Sequence, residues 1–205
     1  MIKNIVFDLG GVLINWDPKL LYRKIFSTED EVEYFLSSVC PYDWNLEQDR
    51  GRPLDQAAEE RIELFPEYQL EIKAYYGRWS EMLDGGISEN IQVLKYFRDN
   101  PEFKIYALTN WSQYTFPIAQ EKFDFLKSFD GIIMSGEEKL IKPDPKIYKV
   151  LLRRYALQAE QCVFIDDRKE NCIAAESLNF SSIHFTAEKS LASELEQLTN
   201  VSINS

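Results

Sequence analysis

Five short apolar runs punctuate the chain and predict buried strands: residues 3–7 (KNIVF), 103–108 (FKIYAL), 131–134 (GIIM), 162–165 (CVFI) and 182–185 (SIHF). The first run ends at Asp8 and the pair Gly10-Gly11, which predicts a tight turn. Helical periodicity fills the intervals. Ile91, Leu94 and Phe97 recur on one face behind Ser88, the expected N-cap. Ile147, Val150 and Leu151 follow Pro143 and Pro145, and Leu191, Leu195 and Leu198 share a face near the end. Strands alternating with helices of about a dozen residues predict an α/β fold, a parallel sheet covered on both faces.

One region breaks this rhythm. Residues 15–87 show no short buried strand but four amphipathic segments, at 19–26, 30–38, 54–64 and 68–82, separated by the turn-like PYDW and DRGRP. Roughly seventy residues exceed what one crossover helix needs. The expectation is a helical lobe inserted after the first strand and closed by Asp84-Gly85-Gly86, with residues 1–14 and 88–205 forming the α/β core.

Composition narrows the function. The 205 residues are 45% hydrophobic and 28% charged, enough for a packed core. Thirty-four acidic against 23 basic side chains give a net charge of −11, which repels polyphosphate backbones and argues against a nucleic-acid partner. No apolar run approaches the ~18 residues of a membrane helix, so no membrane partner is expected. The stretch 5–14 carries Asp8 and lacks a small-residue cleavage site, unlike a signal peptide. Three cysteines without a Cys-x-x-Cys fit a reducing, cytoplasmic setting. A single histidine, His184, excludes multi-histidine zinc sites; its position on the last predicted strand suggests a packing role.

Chemistry must then come from carboxylates, lysine, hydroxyls and backbone. In an open parallel sheet the carboxyl ends of the strands converge on one crevice. Asp8, Thr109-Asn110 and Asp166-Asp167 stand at such ends, and Lys142 lies in a following loop. Any one of them alone reads as a turn residue, a helix cap or a solvated lysine. Together they make a site, because crowded carboxylates repel one another unless a cation joins them. A carboxylate can attack phosphorus to give an acyl phosphate. A hard divalent cation such as Mg²⁺, held by Asp8 and Asp167, removes the anion–anion repulsion. Lys142 neutralises further charge, while Thr109 and backbone amides bond the phosphoryl oxygens.

Four segments in this order resemble the haloacid dehalogenase-like hydrolase superfamily: FDLGGVL (7–13), YALTN (106–110), KPDPKIY (142–148) and VFIDDRKEN (163–171). The resemblance implies a doubly wound, Rossmann-like core with a small helical cap. It implies Asp8 as nucleophile, the Gly10 carbonyl as a metal ligand, Thr109 on phosphate, Lys142 as the motif lysine, and Asp167 on the metal with Asp166 supporting. Trp16, Tyr42, Trp44, Asp49, Arg50 and Trp79 become lobe candidates for specificity, and Asn110 joins Thr109 and Lys142 in binding substrate. Each lobe residue alone reads equally well as lobe packing or surface.

One position departs from the family pattern. Phosphatases of this kind usually carry an acid/base Asp two residues after the nucleophile, and here Gly10 stands there. Asp17 and Asp49 are candidate stand-ins. The expected activity is Mg²⁺-dependent cleavage of a small phosphorylated metabolite, a sugar phosphate among the candidates, through an aspartyl-phosphate on Asp8. Two alternatives stay open: a 2-haloacid dehalogenase, whose leaving halide needs no proton, and a catalytically weak phosphate-binding or regulatory homologue.

Overall fold

The computed structural model describes residues 1–203. In chain order, β1 (Asn4–Phe7) leads through the Gly10-Gly11 turn to β2 (Ile14–Trp16). Five helices follow: α1 (Lys19–Tyr22), α2 (Glu29–Tyr34), α3 (Tyr42–Asp49), α4 (Leu54–Leu64) and α5 (Gln69–Gly77). After β3 (Leu83–Gly86) come α6 (Ser88–Asp99), β4 (Lys104–Thr109), α7 (Phe116–Lys122), β5 (Gly131–Met134) and α8 (Ser135–Glu138). The chain ends with α9 (Pro145–Arg154), β6 (Cys162–Asp166), α10 (Lys169–Glu176), β7 (Ser181–His184) and α11 (Leu191–Thr199).

The five expected strands form one parallel sheet in the order β5-β4-β1-β6-β7. Its strands are apolar at successive positions because both faces are covered. Ile5, Phe7, Ile105, Ala107, Val163 and Ile165 point into one core with Leu94, Phe97, Leu191 and Leu195. Val6, Tyr106, Leu108 and Phe164 point into the other with Ile147, Tyr148 and Leu151. This is a doubly wound α/β fold. The chain winds outward from β1 through β4 to β5, then returns to β6 on the other side of β1. The strand order therefore reverses beside β1, where a ligand crevice is expected.

The insertion is mostly helical, with two differences from the sequence reading. First, β2 and β3 pair antiparallel, Ile14 opposite Gly86 and Trp16 opposite Leu83. Strands of three and four residues, one of them LDGG, carry no apolar run to reveal them. Second, the turn-like PYDW begins a helix, α3, with extended Pro41 just ahead of it. This helix buries Asn45 and Gln48 beside Trp44, so the usual apolar stripe is missing. Within the insertion the Tyr22 ring lies 4.4 Å from Phe35 and 6.1 Å from Tyr75, and all three belong to the same continuous core as that face of the sheet. At the core end, Ser88 is the first helical residue of α6 rather than its cap. Among the described residues no helix is long and apolar enough to cross a membrane.

Candidate active site

The site begins where β1 stops. The Asp8 amide donates to the Ile165 carbonyl at 2.8 Å, continuing the ladder and fixing the carboxylate at the sheet edge. Gly11 then turns the chain at φ +74°, and a Cβ there would meet Asp167 Oδ2 at 2.3 Å. Only glycine both adopts this conformation and leaves room for the Asp167 carboxylate.

Lys142 joins the edge from the other side. Asn110 braces its backbone twice: Asn110 Oδ1 accepts from the Lys142 amide at 2.8 Å, and Asn110 Nδ2 donates to the Lys142 carbonyl at 3.1 Å. The buried Lys142 ammonium lies 2.8 Å from Asp8 Oδ1 and 2.7 Å from Asp166 Oδ2. Asp166 is fully engaged, because its Oδ1 also accepts from the Arg168 amide and from Asn171 Nδ2, both at 2.9 Å. Asp8, Asp166 and Asp167 each offer an oxygen, and the three oxygens lie within 4.8 Å of one another.

Three carboxylates against one ammonium leave negative charge uncompensated. Burial drives the Asp8 carboxyl up to about 7; Lys142 opposes this, while Asp166 and Asp167 add to it. Burial, then Asp166, likewise raises Asp167. For Lys142 burial pulls downward, but Asp166 and Asp8 together outweigh it and the ammonium is held above its ordinary value. Such a cluster of hard oxygens fits a divalent cation such as Mg²⁺, which prefers one or two carboxylates with further oxygen ligands.

Facing this edge across a cavity of about 230 Å³ is the insertion. Asp8, Gly10, Gly11, Asn110, Lys142 and Asp167 line the core side; Trp16, Tyr42, Asn45, Asp49, Tyr76 and Trp79 line the other. Of the residues expected at the site, Thr109 is buried at the end of β4 and does not line the cavity. Trp44 and Arg50 do not line it either. Positions 42, 45 and 49 share the cavity face of α3; Trp44 turns inward against Tyr75 and Tyr76, and Arg50 is exposed beside Glu47 at 3.5 Å. Asp17 sits apart, accepting from the Lys19 amide at 2.8 Å. His184 is exposed rather than packed, its Nε2 lying 3.0 Å from the Asp167 carbonyl, because its strand is at the sheet's edge.

Sequence reasoning missed Asn45, Tyr76, Trp111, Thr115 and Arg168. Arg168 lies within VFIDDRKEN and was available as a charged residue beside Asp167. It bonds the Tyr42 hydroxyl and lies 4.9 Å over the Tyr42 ring, linking core to insertion. Two further bonds span the same seam: Ser135 Oγ donates to the Asp49 carbonyl, and Lys139 Nζ donates to the Gly51 carbonyl at 3.2 Å.

Known proteins are similar to this chain in sequence or in fold. Drimenol cyclase drtB of Aspergillus calidoustus is 28% identical over 206 residues, covering 98% of this chain but only 37% of the cyclase, so the chain spans little more than a third of that relative. Sesquiterpene phosphatase astK of Aspergillus oryzae is 27% identical over 199 residues, 96% of both chains. A HAD family enzyme from Bacteroides thetaiotaomicron, solved with magnesium and inorganic phosphate, superposes with a TM-score of 0.73 over 95% of this chain and 99% of its own, at 24% identity. The family model for haloacid dehalogenase-like hydrolases matches residues 2–179. The chain belongs to the haloacid dehalogenase-like hydrolase family.

Proposed function

We propose that the protein is a phosphatase that cleaves a small phosphate monoester through an aspartyl-phosphate on Asp8, with residues 15–87 acting as the cap over the substrate. The observation that carries this reading is the crowding of negative charge: Asp8, Asp166 and Asp167 each bring an oxygen within 4.8 Å of the others, and the Lys142 ammonium pairs with Asp8 and Asp166 but not with Asp167. A haloacid dehalogenase needs one attacking carboxylate and has no use for this acidic group, which favours phosphate chemistry over halide displacement. The family relationship to a protein named as a phosphatase supports the same choice.

Asp8 and Asp167, with the Gly10 carbonyl, would hold Mg²⁺, and Asp166 would back them. When bound, the ion offsets the repulsion between Asp8 and the phosphoryl oxygens and polarises the phosphorus centre. Asp8 Oδ then forms the bond to phosphorus as the ester oxygen departs. Lys142 favours the ionised form of Asp8, orients its carboxylate, and balances charge on the phosphoryl group. Thr109 and Asn110 close β4 beside it; Asn110 acts by holding the Lys142 loop. Water finally cleaves the acyl phosphate and returns free Asp8. The cavity of about 230 Å³ lies below the range of ~300–1,000 Å³ for drug-sized ligands, so the ester is compact. Its aromatic walls suit the face of a sugar or an apolar group.

The test is a Mg²⁺-supplemented screen of small phosphate esters, sugar phosphates first, with 2-chloropropionate alongside. The reading expects phosphate release that disappears in Asp8→Asn by ~10⁴-fold or more. Chloride release as the dominant activity, or full activity in Asp8→Asn, contradicts it.

A further inference from the structure

Cleaving an alkyl ester leaves an alkoxide that needs a proton, and among the described residues no carboxyl or ammonium on the core edge is free to supply it. Lys142 is shared between Asp8 and Asp166, and Asp166 already accepts from three donors. Asp167 faces Asp8 at the acidic cluster, and Gly10 has no side chain. The insertion brings one carboxyl to the cavity, Asp49 at the end of α3.

Asp49 is held there on purpose-built contacts. Asn45 Nδ2 donates to Asp49 Oδ2 at 3.1 Å, and the Tyr76 hydroxyl donates to Asn45 Oδ1 at 3.0 Å, which fixes the amide's orientation. Ser135 Oγ donates to the Asp49 carbonyl and accepts from the Trp111 amide, tying this end of α3 to the core. Among the described residues no lysine or arginine pairs with Asp49: neighbouring Arg50 turns to Glu47 and Arg52 to Glu60. Burial raises the Asp49 carboxyl well above its ordinary value; a bond from the Ser112 backbone opposes this and Asp8 adds to it. A carboxyl shifted in this direction holds its proton more tightly than a solvated aspartate does.

We propose that Asp49 is the general acid and base of this site, supplied from the cap in place of the missing side chain at Gly10. The inference rests on the phosphatase reading. In the first step Asp8 Oδ bonds to phosphorus, the P–O ester bond breaks, and its electron pair leaves on the ester oxygen, which takes the Asp49 proton. In the second step the Asp49 carboxylate removes a proton from water as its oxygen attacks phosphorus. The bond to Asp8 breaks, inorganic phosphate departs, and both carboxyls return to their starting states.

The experiment compares p-nitrophenyl phosphate with benzyl phosphate, esters of similar size and different leaving groups. Nitrophenolate leaves without a proton, whereas the benzyl alkoxide needs one. In Asp49→Asn, turnover of benzyl phosphate should fall by ~10²–10⁴. The same variant should still release a rapid burst of one nitrophenolate per site, followed by slow turnover, because water attack has lost its base. A Cβ at position 10 meets nothing within 4 Å, so Gly10→Asp in the Asp49→Asn background should fit and restore benzyl phosphate turnover. Equal losses on both esters without a burst, or unchanged benzyl phosphate turnover, would overturn the assignment while leaving the phosphatase reading intact. A wild-type protein inert toward every ester overturns both.

Discussion

The two walls of the cavity are built differently. The core wall is charged and over-determined: Asp166 accepts three hydrogen bonds, Lys142 spans two carboxylates, and Asn110 grips the Lys142 backbone at both ends. Asp8 and Asp166 stand at strand ends of the sheet, and Asn110, just after β4, holds the loop that carries Lys142. The insertion wall is aromatic and amide-rich, and side-chain bonds tie it to the core, among them Arg168 to Tyr42 and Ser135 to the Asp49 carbonyl. Most of the fixed charge sits on the core wall, where developing charge would need it. The insertion wall brings one carboxyl, Asp49, and the Ser135 hydroxyl ties the carbonyl of that residue to the core.

The largest effect should come from Lys142→Met. It strands Asp166 and Asp8 without their cation, and breaking a buried pair this way typically costs about 3–5 kcal/mol. Urea unfolding should show that loss together with loss of turnover. A stable, inactive variant would make Lys142 a reagent only, not a keystone of the wall.

The response to pH and metal sharpens the same contrast. Burial raises the folded-state values of Asp8 and Asp167, so between the ordinary carboxylate range and about 7 the folded protein binds protons that the unfolded chain has released. These groups therefore add stability at low pH and lose it as pH rises through that window. Mg²⁺ competes with those protons and should raise Tm more at pH 8 than at pH 5. An equal increment at both values would remove the carboxylates from the metal site.

A smaller effect is expected from Gly11→Ala, which forces a side chain at φ +74° and pushes Asp167 aside. The backbone strain costs about 1–3 kcal/mol. Calorimetric titration should show weaker Mg²⁺ binding as well; strain without weaker binding would relieve Asp167 of its metal role.

On the insertion wall, Tyr42→Phe keeps the ring over Arg168 and removes only the hydroxyl. The loss is about 1 kcal/mol, read as a KM rise of about fivefold with kcat unchanged. A large fall in kcat would mean that the Tyr42–Arg168 bond, like the one from Ser135, positions Asp49.

The same contrast governs what the amino-acid sequence discloses. The runs at 3–7, 103–108, 131–134 and 162–165 stand out because burial on both faces leaves those strands mostly apolar, whereas the run at 182–185 belongs to an edge strand with Ile183 buried and His184 exposed. Asp8, Lys142, Asp166 and Asp167 were legible because they interrupt those runs or follow them, and the structure brings them together. The insertion wall hides for the opposite reason. A helix that buries Asn45 at the cavity and Gln48 against its own backbone loses its amphipathic stripe, so α3 resembles a turn in sequence. Its helical phase then decides which neighbours reach the cavity: Asp49 does and Arg50 does not, though they are adjacent. Tyr76 joins this wall, and Trp111 meets it from the core side against Trp79, through contacts distant in sequence, which no local spacing encodes.

Turnover of a phosphate ester by metal-stripped protein, followed as Mg²⁺ is added back, tests the central claim most directly. If a dication tames the crowding of Asp8, Asp166 and Asp167, EDTA-treated protein is inactive and Mg²⁺ restores phosphate release along a saturable curve that Asp8→Asn abolishes. Undiminished phosphate release in EDTA would contradict the account.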